Sequence, residues 1–196
     1  KAGSILSKMA TLSISASAKP RTRLSTLVLS QRDIARLLDV RASIRIVERA
    51  FKTQAKGQAV MPPKLYLPLP GGNDFRAMPA YIAKPPACGL KWVNVHPGNP
   101  SKSLPTVMAI IVLNDPATGV PLAVMDGLLI TKLRTAASGA VAAKAIARPS
   151  SRVVGLVGCG AQGISQLEGL AALFGLTEIR AWGFGQGEAA RFCAGA

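Results

Sequence analysis

Residues Arg152 to Gly163 read RVVGLVGCGAQG, a short apolar run that meets the glycine pattern Gly158-Cys159-Gly160-Ala161-Gln162-Gly163. Val153, Val154, Leu156 and Val157 form a near-continuous apolar segment, the pattern of a parallel strand buried on both faces. Gly158 permits a sharp turn after it, Gly160 leaves no Cβ to hold a phosphate off the backbone, and Gly163 lets the following helix approach the strand. The helix opened by Ala161 and Gln162 then offers free N–H groups and the positive end of its dipole. A helical stretch to about Phe174 and a second strand from Glu178 to Phe184 complete one strand-helix-strand unit. In that context the glycines predict a dinucleotide site built from Gly158, Gly160, Ala161, Gln162 and Gly163.

Upstream, the pattern is different. Ser30-Gln31-Arg32-Asp33 makes a helix cap before Ile34, Leu37 and Leu38, and a second helix carries Ile44, Val47 and Phe51 on one face before Gly57 closes it. Short strands broken by proline and glycine follow: Lys64 to Leu69, Asp74 to Ile82, Gly89 to Val95, Thr106 to Leu113 and Val120 to Met125. Asn114 to Gly119 reads as the hairpin loop joining the last two. An alanine-rich helix from Leu128 to Ala147 leads into the glycine turn. The expected fold is therefore α/β: a strand-rich α+β domain over residues 30–134, followed over 135–196 by the start of a Rossmann-type nucleotide-binding domain. Such a domain needs more strands than two on its sheet, so the sequence reads as truncated. Residues 1–29 are Ser-rich, basic and acid-free, a composition shared by transit peptides and disordered leaders.

Composition excludes several classes. Of 196 residues, 49% are apolar, enough for a core, yet the longest apolar run, Val107 to Leu113, falls far short of the ~20 residues of a membrane span. The net charge of +15 invites nucleic-acid binding, but much of the excess precedes Asp33, and no nucleic-acid motif or interleaved aromatics accompany it. Cys88, Cys159 and Cys193 have no metal-ligand spacing, which points to a reduced, cytoplasmic setting. Lys91 stands inside an apolar strand and Arg134 opens the alanine-rich helix. Burial is the available means of lowering a lysine pKa for catalysis, and snorkelling to water is the ordinary alternative. His96, the sole histidine, reads as a turn residue.

The segments MPPKLYL, DFRAMPAY, GLKWVNVHPGNP, LPTVMAIIVLNDPATGVPLAVMDG, LITKLRTAASGAVAAK and VVGLVGCGAQG together resemble the ornithine cyclodeaminase and mu-crystallin family, from about Ser30 to Phe184. The resemblance implies an NAD- or NADP-dependent homodimer, joined through its strand-rich domain, that acts at the Cα–N bond of an amino acid or cyclic imine. It implies that Lys64, Lys91 and Arg134 hold the substrate carboxylate and that Lys91 also moves a proton. Conversion of L-ornithine to L-proline and ammonia is the expected activity. Alanine dehydrogenase, ketimine or pyrroline-2-carboxylate reductase, and a non-catalytic mu-crystallin-like NADP-binding protein are the alternatives. The family's acid for the substrate amine is expected beyond Ala196, so this fragment alone is expected to be inactive. At the end of the second strand, Trp182-Gly183-Phe184-Gly185-Gln186 has neither the Asp that takes the ribose of NAD nor the Arg that takes the phosphate of NADP, and Glu178 stands at the strand's start.

Overall fold

A computed structural model describes residues 25–195. Most of the expected leader therefore lies outside the described residues, but its last part does not: Leu27–Leu29 form strand β1. Ser30 then caps α1 (Gln31–Leu37), its hydroxyl accepting from the Asp33 N–H while the Asp33 carboxylate accepts from the Ser30 N–H at 2.9 Å. The Asp39 carboxylate caps α2 (Val40–Ala55) by accepting from the Ala42 N–H. The strands β2 (Ala59–Val60), β3 (Leu65–Pro68), β4 (Asp74–Ala83), β5 (Pro86–Val95), β6 (Val107–Asn114) and β7 (Pro121–Asp126) follow. Next come α3 (Leu128–Ile146), β8 (Val153–Val157), α4 (Ala161–Ala171), β9 (Glu178–Trp182) and α5 (Glu188–Ala194).

The larger sheet runs β1-β7-β6-β5-β4-β2, with β3 also paired to β4. Every pairing in it is antiparallel except β1 with β7. That parallel pairing corrects the leader boundary. Leu27, Val28 and Leu29 gain backbone partners in Ala123, Val124 and Met125, contacts that composition cannot reveal. The β6–β7 hairpin closes as expected, with Asp115 N–H donating to Val120 O at 2.9 Å and Gly119 at φ 76°.

The second sheet is the parallel pair β8–β9. Here the expectation of a strand buried on both faces fails: Val153 is 47% and Val157 83% exposed, because β9 is its only pairing partner among the described residues. The two sheets are linked through helices. The boundary expected at residues 134 and 135 falls inside α3, which is continuous, and α3 packs against both α2 and α4. Small residues make that close approach possible: Ala136, Ala137 and Ala140 are fully buried, and a Cβ on Gly169 would stand 2.8 Å from the Ala136 carbonyl oxygen. Ile44 of α2 completes the core against Ala137 and Ala140. This joint carries the end of α4 that holds the glycine turn to the face of the larger sheet.

Candidate functional site

Strand register explains the site. Side chains alternate across a sheet, so residues two apart on a strand share a face. Met78 of β4 pairs with Lys91 of β5, which pairs with Ile111 of β6. One row along, Tyr66, Arg76, Val93 and Ala109 pair in sequence across β3 to β6. Lys64, two residues before Tyr66, falls on the same face as Lys91, beside Met78. Helix α3 presents Thr131, Arg134 and Thr135 to this face, and together with Gln162 from the glycine turn they enclose a cavity of about 240 Å³. The cavity thus contains all three residues expected to clamp a carboxylate and one of those expected to bind a dinucleotide.

Its electrostatics are strongly cationic. The Lys91 ammonium is pulled down to about 8, first because burial strips it of water, then because Arg134, Lys64 and Arg76 repel its charge. Burial also lowers the pKa of Arg134. Arg76 was not singled out in the sequence, where it reads as one polar member of an alternating strand. The signal was its register: placed two residues from Met78, it shares the face of Lys91. It is held by Asp74, donating from Nε at 2.7 Å and from one Nη at 2.8 Å, and its guanidinium stands 5.1 Å from the Tyr66 ring centre. That ion pair holds the Asp74 carboxyl below its usual pKa and leaves the carboxylate committed to Arg76. Thr131, also unforeseen, carries a buried hydroxyl with no hydrogen-bond partner among the described residues. A cavity with this lining can hold and orient an anion, and Lys91 can exchange a proton near neutral pH.

His96 takes no part in it. Its Nδ1 lies 2.8 Å from the Asn94 amide nitrogen and its ring meets Phe75 edge-on, on a different part of the sheet. Among the described residues no group of His, Cys, Asp or Glu is arranged to hold a metal.

The glycine turn is tightly folded, and the helix end it opens has free amides. Gly158 adopts φ 103°, and Gly163 lies so close that a Cβ there would be 2.5 Å from the Gly158 carbonyl oxygen. A Cβ on Gly160 would meet nothing within 4 Å, which leaves open space beside the backbone. Ile164 N–H is the first in α4 to bond back, to Gly160 O, so the amides of Ala161, Gln162 and Gly163 stand free for phosphate oxygens. Half-buried, the Cys159 thiol is pushed up in pKa, first by partial loss of water and then by the nearby Glu188 charge, as befits a turn residue rather than a nucleophile.

A cationic cavity on a largely antiparallel sheet thus shares a wall, through Gln162, with a glycine turn that opens a helix, in a two-part α/β fold. The chain belongs to the ornithine cyclodeaminase/mu-crystallin family, whose sequence profile matches residues 24–196. It is 48% identical over 169 residues to an alanine dehydrogenase of Archaeoglobus fulgidus, a match covering 86% of this chain and 52% of the relative. Among solved structures, an archaeal alanine dehydrogenase dimer with bound NAD superposes with a TM-score of 0.81 at 47% identity, over 86% of this chain and 52% of that one. The Delta(1)-pyrroline-2-carboxylate reductase of Thermococcus litoralis, solved with NADH and L-proline, gives 0.82 at 34% identity over 86% and 53%. The chain spans about half the length of these relatives.

Proposed function

We propose that the full-length protein is an NAD(P)-dependent oxidoreductase that interconverts a small 2-amino acid with its 2-oxo or imino acid, with alanine dehydrogenase chemistry as the leading reading. The observation that carries this is the convergence of Lys64, Lys91 and Arg134 on a cavity that Gln162 of the glycine turn also lines. The expectation of ornithine cyclodeaminase activity gives way to its dehydrogenase and reductase alternatives. The 48% identity to an alanine dehydrogenase favours them. So does charge: ornithine brings a second ammonium, and Lys64, Arg76, Lys91 and Arg134 line the cavity while the neighbouring Asp74 is spent on Arg76.

Arg134 and Lys64 bind the carboxylate, Arg134 through two parallel bonds, and so fix the Cα–N bond near the glycine turn. Lys91, near its titration point, takes the proton from the substrate nitrogen as the Cα–H bond breaks with its electron pair, and returns it in the reverse direction. A bound nicotinamide dinucleotide would accept that hydride. Water then adds to the imine carbon and ammonia leaves, giving the 2-oxo acid.

The face of the sheet opposite the cavity supports a homodimer. Leu65, Leu67 and Ile110 are at least half exposed or nearly so, at 69%, 50% and 48%, and lie on the side of the Phe75–Trp92 stack. A panel of amino acids and 2-oxo acids, followed through cofactor absorbance with the full-length protein, tests the catalytic reading. Absence of cofactor-linked turnover across the panel overturns it.

A further inference from the structure

In a strand-helix-strand nucleotide fold, the acid that accepts hydrogen bonds from the adenosine ribose stands at the end of the second strand, about 20 residues past the turn. Here that place follows Trp182 and is occupied by Gly183. A carboxylate nevertheless reaches it. Glu188, the first residue of α5, folds back so that its Oε2 lies 2.6 Å from where a Cβ on Gly183 would stand. The same oxygen accepts from the Gly185 N–H at 3.1 Å, which fixes its position. Gly183 is what makes the room, since any side chain there would meet the Glu188 carboxylate.

The surroundings identify the locus. Glu188 lines a cavity of about 250 Å³ with Cys159, the second residue of the glycine turn. The turn itself is tied to the strand end by the Gly158 N–H, which donates to Trp182 O at 2.8 Å. Carboxylate, glycine turn and strand end therefore form one wall, as a dinucleotide's ribose and pyrophosphate require.

We infer that Glu188 supplies from α5 the ribose-binding carboxylate that position 183 lacks, and that the protein accordingly selects NAD over NADP. The inference rests on the dinucleotide-binding part of the proposed function. A carboxylate accepts hydrogen bonds from both ribose hydroxyls, whereas a 2′-phosphate offers it only negative charge and acceptors. Arg191 lines the same cavity and is the group that would favour a phosphate, but its guanidinium donates to the Gln186 carbonyl at 3.4 Å.

The test is binding, without turnover: NADH and NADPH are titrated into the full-length protein and followed by nicotinamide fluorescence. NADH is expected to bind at least about tenfold more tightly than NADPH, the effect of one charge-assisted hydrogen bond. Glu188→Ala should remove that preference by weakening NADH alone. Adding Gly183→Asp to Glu188→Ala should restore it, because the new carboxylate projects into the vacated space. Equal or tighter binding of NADPH by the parent protein overturns the inference whatever the variants do, and so does a Glu188→Ala protein that loses both cofactors equally. If neither cofactor binds the parent, the dinucleotide reading itself fails. Tight NADPH binding abolished by Arg191→Ala leaves that reading standing and refutes only the role of Glu188.

Discussion

Binding of a carboxylate in the cavity should fall as pH rises through about 8, with Lys91 as the cause. Unliganded, its ammonium titrates at about 8 because it is partly stripped of water and faces Arg134, Lys64 and Arg76. A carboxylate placed among these cations favours the charged lysine, so the bound pKa moves back toward the ordinary lysine value. Ligand binding is then linked to proton uptake, and affinity drops by up to about tenfold per pH unit above the unliganded pKa. At pH 9 about a tenth of free sites hold the proton, so affinity should be about tenfold below its value at pH 7. Calorimetry with pyruvate, which has no group titrating in this range, measures the effect, and repetition in buffers of different ionisation enthalpy counts the proton taken up. Lys91→Met should bind more weakly and without pH dependence. An affinity that stays flat from pH 7 to about 10, or the same slope in Lys91→Met, refutes the linkage. The sign for folding is opposite: with the folded pKa lowered from 10.5 to about 8, the unfolded chain holds more protons between those values, so stability should rise with pH across that window.

Other residues give independent checks. Arg134→Lys should weaken pyruvate binding by roughly 1.5 to 3 kcal/mol, because an ammonium cannot make two parallel bonds, while NADH affinity stays the same; equal loss of both ligands in titrations would make Arg134 structural instead. Thr131→Val should raise the melting temperature, since it removes a buried hydroxyl without a partner at a cost of roughly 1 kcal/mol; a lowered melting temperature would mean that the hydroxyl is bonded. Gly163→Ala should destabilise by about 1–3 kcal/mol and weaken NADH binding, because its Cβ would press on the Gly158 carbonyl and push α4 off the turn. Unchanged melting and cofactor titration in that variant would contradict the close packing.

Local signals were readable where the physics is local. The Ser30–Asp33 cap, the Asn114–Gly119 loop and the glycine turn each rest on a few adjacent residues, and each stands where the sequence placed it. What escaped was non-local. Three residues of β1 become a strand only through β7, about a hundred positions away in the chain, and Arg76 becomes a site residue only through the β4–β5 register. Glu188 illustrates the same limit more sharply. The fingerprint asks for an acid at the end of the second strand, and a search along the chain finds Gly183; the carboxylate arrives by a backward fold of the chain that spacing cannot encode. The apolar run at Val153 to Val157 misled in the other direction, because hydrophobicity records what a strand can bury and not how many neighbours cover it.

The most direct test of the central claim is interconversion of L-alanine and pyruvate by the full-length protein, followed through nicotinamide absorbance with the amino-acid product identified by mass. NADH oxidation is expected to require both pyruvate and ammonia, to yield alanine, and to be lost in Lys91→Met. Cofactor that is bound but never oxidised or reduced with any 2-oxo or amino acid, or turnover that survives loss of Lys91, would contradict it.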